Sequence, residues 1–210
     1  MLGIENFPFF IAASLVFVVT PGIDTVFVLN KSISQGKRAG IYASMGINSG
    51  ILFHTVFAAL GLSMIVAKSA VAFSTIKYIG AAYLVYLGIR AIFSKESKLN
   101  FNHNAGQDIS DWKNFKIGFI TNVLNPKVAL FFLSFFPQFI SKEYIGTPLP
   151  FIILGIIHAV FGLIWFLLLS YFSAMFSYKL KENPKFNYFL NKFSGIVYIL
   201  LGVKIALTKK

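Results

Sequence analysis

The stretch Val16-Phe17-Val18-Val19-Thr20-Pro21-Gly22-Ile23-Asp24 places a proline-glycine pair and a carboxylate inside a hydrophobic run. About half a chain later, Asn122-Val123-Leu124-Asn125-Pro126-Lys127 places a proline and a lysine inside a second one. Because proline lacks a backbone N–H and crowds the carbonyl one turn earlier, both helices are predicted to break. Paired broken helices with buried ionisable side chains are how many transporters build a binding site at the middle of the membrane.

The composition of the chain is that of a membrane protein. Of its 210 residues, 57% are hydrophobic and 12% are charged, which departs widely from soluble proteins. Four stretches contain at most one charge and reach the roughly 20 residues that cross a bilayer; they lie between Glu5 and Lys31, Arg38 and Lys68, Lys116 and Lys142, and Glu143 and Lys179. Two further spans, at about 71–93 and 186–207, carry lysines near their ends that can reach the interface. We expect an all-α membrane protein with six transmembrane helices.

The net charge of +12 is explained by topology and needs no nucleic-acid partner, because the basic residues lie at the ends of the hydrophobic runs. With Lys127 set aside as intramembrane, twelve Lys and Arg fall on one side of the predicted membrane and six on the other. The positive-inside rule makes the richer side cytoplasmic and puts both termini outside. The first run has no basic residue before Lys31, so we interpret it as a retained helix of a multi-pass protein in the bacterial inner membrane.

The polar stretch 94–114 divides the chain into two predicted three-helix repeats, 1–93 and 115–210. Because each repeat has an odd number of spans, the second must enter the bilayer upside down, as in secondary carriers. The third helices match at an offset of 115 residues, which requires a length difference between the halves. The halves correspond in order at Pro21 and Pro126, at His54 and His158, at Lys77-x-x-Gly80-x-x-Tyr83 and Lys192-x-x-Gly195-x-x-Tyr198, and at Gly88 and Gly202.

Asp24 and Lys127 are the leading site candidates. Asp24 is the one carboxylate within any predicted span; burial disfavours its charged form, so it can carry a proton through a transport cycle. A second interpretation makes it a cap or ion-pair partner near the cytoplasmic end. Burying Lys127 without a partner costs several kcal/mol, and we predict that Asp24 is this partner, either in a fixed structural pair or in a pair that substrate or proton opens.

Further polar residues surround the two breaks. Thr20, Asn122 and Asn125 can line a site with Pro21, Gly22 and Pro126, or can serve the backbone groups that proline frees. His54 follows Gly46 and Gly50 at one residue per turn, which favours a packing seam whose histidine forms a hydrogen bond across helices. His158 is interpreted in the same way, and Asn48 is a further candidate for the lining.

Enzyme chemistry has little support in the sequence. There is no cysteine, no HExxH motif and no pair of closely spaced intramembrane carboxylates, so we predict no catalytic residue, no metal site and no cofactor. A channel needs a continuous polar path, whereas the polar residues here gather at two breaks. The sequence leaves open whether the protein forms a homodimer.

An ordered set of motifs resembles the LysE/RhtB family of amino-acid exporters from about residue 7 to the last helix. The set comprises Thr20-Pro21-Gly22-Ile23-Asp24, Gly36-Lys37-Arg38-Ala39-Gly40, Gly46-Ile47-x-x-Gly50-x-x-x-His54, Gly80-Ala81-Ala82-Tyr83-Leu84-x-Tyr86-Leu87-Gly88, Asn122-x-Leu124-Asn125-Pro126-Lys127-x-Ala129-Leu130-Phe131-Phe132 and Phe136-Pro137-Gln138-Phe139.

The resemblance implies a small carrier that expels amino acids or their derivatives, driven by an ion gradient. It assigns the family's proline-glycine motif to Pro21 and Gly22, its Asn-Pro-Lys motif to Asn125, Pro126 and Lys127, and its frequent following acid to Asp24. Many relatives have a second proline at Ile23 and an acid at Ile51. Losing that acid favours a neutral amino acid over a lysine-like substrate, with a channel or a non-amino-acid cargo as alternatives.

Overall fold

The computed structural model describes residues 3–63, 69–93, 110–173 and 184–207. In these ranges the chain is helical, apart from turns and one antiparallel β-bridge between Ile4 and Ile140. The helices are α1 (Phe7–Val19), α2 (Ile23–Phe57), α3 (Ala70–Phe93), α4 (Asp111–Val123), α5 (Pro126–Phe135), α6 (Pro148–Tyr171) and α7 (Pro184–Leu207). A π-helical turn, Ala58–Leu62, continues α2, and a 3-10 turn, Phe136–Phe139, continues α5.

Both predicted helix breaks are present. α1 ends at Val19 and α2 begins at Ile23, with extended backbone at Thr20 and Gly22. α4 and α5 are separated by Leu124 and Asn125 and are bent by 50°. In each case proline stands where the helical hydrogen-bond ladder is interrupted, because it has no N–H to donate.

α2 reverses direction at Gly36. This glycine has φ 87° and ψ 172°, a conformation that only glycine adopts without strain. Ser32 and Gly40 would be about 12 Å apart along a straight helix, yet a Cβ on Gly40 would overlap the Ser32 hydroxyl. Residues 23–35 and 37–57 are therefore two arms of a helical hairpin.

Several helices are long and apolar enough to cross a bilayer. Within the described ranges, three stretches pass by length and hydropathy, and the bent pair formed by α4 with α5 and its 3-10 turn makes a fourth if it is counted as one span. The three are Ile23–Gly61, Ser74–Phe93 and Pro148–Tyr171. The protein is accordingly a multi-pass helical membrane protein.

α3 and α7 pack antiparallel along a glycine seam. A Cβ on Gly88 would lie 2.6 Å from the Gly195 carbonyl oxygen, and a Cβ on Gly195 would lie 2.6 Å from the Gly88 carbonyl oxygen. Farther along, a Cβ on Gly202 would lie 2.7 Å from the Ala81 carbonyl oxygen. Small residues permit this approach of the two backbones.

The two ends of the bundle carry different contacts. At one end, Arg38 Nε lies 2.7 Å from Asp111 Oδ2. At the other, Glu5 N donates to the Phe139 carbonyl at 2.8 Å, and Lys204 Nζ lies over the Phe9 ring. Of the predicted linker 94–114, residues 94–109 lie outside the described ranges, and its last four residues, 111–114, form the first turn of α4.

Candidate functional site

The first break is filled by the side chain of Lys127. Pro21 has no N–H, so the carbonyl of Phe17, four residues earlier, loses its helical donor. Lys127 Nζ donates to this carbonyl at 3.4 Å and to the Thr20 carbonyl at 3.1 Å. The ammonium also lies 4.5 Å from the centre of the Phe17 ring and 5.4 Å from that of Tyr198, which stabilises a desolvated cation. A lysine from the second half of the chain therefore supplies the hydrogen-bond donor that the broken helix of the first half lacks.

At the second break the direction is reversed. Pro126 removes the helical donor to the Asn122 carbonyl, which instead accepts from Asn125 N at 2.9 Å and lies 3.2 Å from His54 Nε2. Since a carbonyl only accepts, the ring N–H of His54 is the donor. Asn125 caps α5, and its Oδ1 accepts from Lys127 N at 3.0 Å. Each break is thus completed by a side chain from the other half of the chain.

Asp24 lies in the first turn of α2, buried between the two breaks. Asp24 is 8% exposed, and its Oδ2 accepts a hydrogen bond from Asn122 Nδ2 at 2.9 Å. Its Oδ1 is buried and accepts no hydrogen bond within 3.5 Å. The side chains of Asn125 and His54 are further neighbours of the carboxylate. One carboxylate oxygen is therefore committed to Asn122, and the other is open to a donor.

The predicted ion pair between Asp24 and Lys127 is wrong as a direct contact. Within the described ranges, the one ion pair with N–O distance below 4.0 Å joins Arg38 and Asp111. Lys127 turns toward the carbonyls of the first break, and Asp24 toward the amide of Asn122. Backbone carbonyls satisfy the ammonium, so it does not need the carboxylate as partner. The two charges face a shared cavity and do not touch.

That cavity is small. Its volume is about 20 Å³, which is room for about one water molecule. The polar residues Thr20, Asp24, Thr25, Asn125, Lys127 and His158 line it, together with Gly22, Phe17, Val18, Ile51, Val128 and Phe166. In this conformation no amino acid fits between the two charges, so the site is closed.

Several buried polar atoms around the cavity have no hydrogen-bond partner in the structure. They are Asp24 Oδ1, Asn122 Oδ1, His158 Nδ1 and the Tyr198 hydroxyl. Buried polar groups are rarely left unpaired, because each costs about 1–3 kcal/mol. Two of them are acceptor oxygens, one on Asp24 itself and one on its neighbour Asn122, and another is the hydroxyl of Tyr198, whose ring faces Lys127. The unfilled hydrogen-bonding capacity around the cavity therefore suits a ligand that carries both a donor and an acceptor group.

The predicted site residues divide into two groups. Thr20, Gly22, Asp24, Asn125, Lys127 and His158 line the cavity. The others stand behind it: Asn122 binds Asp24, His54 binds Asn122, and the two prolines open the helices. Asn48 lies apart from the cavity, with its Oδ1 3.4 Å from where a Cβ on Gly162 would stand.

The glycine row on the second arm of α2 makes room for α4. A Cβ on Gly46 would overlap the Phe115 carbonyl, and a Cβ on Gly50 would lie 2.6 Å from Asn122 Oδ1. The predicted close approach of helices is present here, and it is what brings His54 within reach of the second break. His158 is instead enclosed by aromatic rings, with ring centres 5.1 Å away at Phe131 and 5.8 Å away at Phe17.

Tyr198 is a site residue that the sequence analysis missed. It appeared there only as part of a repeat match in the last helix. Its ring packs 6.2 Å from that of Phe17, and its buried hydroxyl lies on a residue that is 3% exposed. The signal that was present is a tyrosine in the middle of an apolar span, since a buried tyrosine hydroxyl usually needs a partner.

An apolar cavity of about 210 Å³ adjoins the second break. His54 is its one polar lining residue, and Phe53, Phe57, Phe132 and Leu133 form most of the wall. His54 on its wall donates to the Asn122 carbonyl, and the side chain of Asn122 donates to Asp24. Phe53 and Phe57 are 46% and 55% exposed, so this cavity opens at the surface of the bundle.

Two broken helices that exchange side chains around a polar cavity are typical of membrane transport proteins. The family model of the LysE type translocators matches residues 15–209. This chain belongs to the LysE type translocator family.

Curated relatives span nearly the whole chain. The uncharacterised membrane protein YrhP of Bacillus subtilis is 37% identical over 207 residues, covering 95% of this chain and 97% of the relative. The leucine efflux protein of an Enterobacter species is 28% identical over 204 residues, covering 97% and 96%. The leucine efflux protein of Salmonella choleraesuis is 27% identical over 208 residues, covering 97% and 96%. No solved structure matches this chain significantly.

Proposed function

We propose that this protein exports a neutral amino acid, or a close derivative, across the bacterial inner membrane as a secondary-active carrier. The observation that carries this proposal is the pair of unlinked charges, Asp24 and Lys127, on the wall of one buried cavity. The family membership and the names of the leucine efflux relatives support it.

A zwitterion complements this cavity at both ends. Its carboxylate would bind the Lys127 ammonium, and its ammonium would bind Asp24 Oδ1; both residues line the cavity. Asp24 Oδ1 accepts no hydrogen bond in the structure, whereas the Lys127 ammonium already has two carbonyl acceptors. Charge-assisted hydrogen bonds of this kind are stronger than neutral ones and fix the orientation of the ligand.

The neutral character of the substrate follows from what else lines the site. Ile51, which stands where many relatives have an acid, is one of the lining residues and is 3% exposed. A substrate with an additional positive charge would find no second carboxylate among the lining residues.

Transport requires the closed cavity to open alternately to each side. The two breaks are the natural hinges, because Pro21 and Pro126 have no N–H to donate and the backbone is extended at Thr20, Gly22 and Asn125. Asp24 is proposed to carry the coupling proton: protonated, it loses its attraction for the substrate ammonium, which links the gradient to substrate release.

Six spans arranged as two inverted repeats account for the architecture. The reversal at Gly36 divides α2 between two spans. The first span consists of α1 with residues 23–35, and the fourth span consists of α4 with α5. The reciprocal contact of Gly88 and Gly195 is what a two-fold axis in the membrane plane would produce. The Arg38 end is assigned to the cytoplasm and the Ile4 end to the outside.

The test is an export screen in cells. Cells that express the protein should tolerate a toxic load of one or more of the twenty amino acids better than cells that express the Asp24→Asn variant, and should lose this advantage when the proton gradient is collapsed. A full panel without any difference would contradict the proposal. Unitary conductance in a planar bilayer would support a channel instead.

A further inference from the structure

His158 is a buried histidine whose hydrogen-bonding capacity the fold does not use. It is 1% exposed and lines the central cavity, and its Nδ1 has no hydrogen-bond partner among the described residues. Aromatic rings surround the imidazole and offer an N–H only weak interactions; their centres lie 5.1 Å away at Phe131, 5.7 Å at Phe132, 5.8 Å at Phe17 and 6.1 Å at Phe136. An apolar side chain would fill this space without leaving a polar group unpaired, so packing does not explain a histidine here.

A comparison with His54 shows how His158 is left without a partner. The two histidines correspond in the order of the sequence. His54 donates to the carbonyl that the second proline deprives of its donor, that of Asn122. The carbonyl that the first proline deprives of its donor, that of Phe17, accepts from Lys127 Nζ instead. Lys127 therefore takes the acceptor that corresponds to the one His54 uses, and the imidazole of His158 remains available to a ligand.

His158 lies at the lysine end of the cavity. Its ring centre is 5.8 Å from that of Phe17, and Lys127 Nζ is 4.5 Å from the same centre. The charge that acts on the imidazole is that of Lys127. A lysine ammonium has three N–H groups, and in the part of the chain that the structure describes two of them donate to the carbonyls of Phe17 and Thr20. This end of the cavity therefore has two donors to offer, the third N–H of Lys127 and the N–H of the imidazole.

We propose that His158 is a specificity-determining residue that recognises the carboxylate of the exported amino acid. Its Nδ1–H would donate to one carboxylate oxygen, while Lys127 binds the other. An imidazole can donate without carrying a charge, so the cavity keeps one cation and one anion, Lys127 and Asp24, which matches a zwitterion. The inference deepens the proposed function and rests on it, because it assigns a second donor to the same substrate group.

The experiment compares leucine with leucinamide, which has the same side chain and the same ammonium but no carboxylate. Purified protein in lipid vesicles exchanges a trace of labelled leucine, and unlabelled leucine or leucinamide is added until exchange falls by half. His158→Phe fills the aromatic surroundings without an N–H. It should raise the half-inhibiting concentration of leucine about tenfold and leave that of leucinamide within about twofold of its value in the unmodified protein.

Two further variants separate the hydrogen bond from packing. His158→Asn can place an amide N–H where Nδ1 lies, so it should return the leucine value to within about threefold of the unmodified protein. Phe136→Leu is the matched control, because its ring contacts His158 but does not line the cavity; both values should stay within about twofold. His158→Leu replaces His158→Phe if the larger ring prevents folding.

Each outcome supports the inference or overturns it. An unchanged leucine value in His158→Phe would overturn the role of His158 and leave the proposed function intact. Values for leucine and leucinamide that rise together would also overturn it, since that pattern reflects packing. If leucinamide does not inhibit at all, the asparagine variant decides, because a leucine value that stays raised there contradicts a donor role. If the unmodified protein exchanges neither leucine nor any other amino acid of the panel, the proposed function falls and the role of His158 falls with it.

Discussion

Lys127 Nζ lies 3.1 Å from the carbonyl oxygen of Thr20, so the lysine of one broken helix completes the backbone of the other. The hydrogen bond from His54 to the Asn122 carbonyl has the same purpose at the second break. The two halves of the chain are therefore held together by donors that replace those lost at Pro21 and Pro126.

Replacing Lys127 tests this relationship. Lys127→Met leaves the carbonyls of Phe17 and Thr20 without their donor, so we expect the free energy of unfolding to fall by about 1–3 kcal/mol. Export should be lost as well. Thermal unfolding of the detergent-extracted protein gives the first result. The control is Lys116→Met, which alters an exposed lysine on α4; equal stability of the two variants would show that Lys127 has no backbone role.

Gly50→Ala tests the positioning of Asn122. The new methyl would stand 2.6 Å from Asn122 Oδ1, so Asn122 must shift and its hydrogen bond to Asp24 is lost. We expect at least a tenfold drop in the export rate. Gly61→Ala is the matched control, because its methyl would meet nothing nearer than 3.8 Å. The clash with Asn122 should also lower the free energy of unfolding. Adding Asn122→Ala to Gly50→Ala removes the clash, so it should restore the free energy of unfolding but not export. Normal export by Gly50→Ala would remove Asn122 from the site.

The hairpin of α2 depends on the backbone of Gly36. A methyl there would meet no atom within 4 Å, but φ 87° is strained for any other residue. Gly36→Ala should therefore cost about 1–3 kcal/mol of unfolding free energy through backbone strain alone. Thermal unfolding beside Gly61→Ala measures it. No difference between the two would mean that residues 23–57 do not reverse at Gly36.

The orientation of the protein is tested by labelling. The chain has no cysteine, so a single introduced thiol reports without background. Ser97→Cys should resist a membrane-impermeant thiol reagent in intact cells, and Glu143→Cys should react with it. The reverse pattern would invert the proposed topology.

The sequence predicts the two breaks well, because proline acts through local backbone chemistry. It also identifies the ionisable residues that share the site, since charges are scarce in the apolar runs. It does not predict what Lys127 binds, because backbone carbonyls are present at every residue and the freed ones are not visible as a sequence signal. The sequence therefore predicts Asp24 as the direct partner of Lys127, which is wrong.

The central claim is that Asp24 couples export to the ion gradient at a cavity shared with Lys127. The direct test uses the purified protein in lipid vesicles, comparing exchange of labelled leucine at equilibrium with uphill transport driven by an imposed proton gradient. Asp24→Asn keeps an oxygen that accepts from Asn122, so we expect a folded protein whose exchange stays within about tenfold of normal and whose uphill transport is abolished. Uphill transport by Asp24→Asn at the unmodified rate would contradict the account.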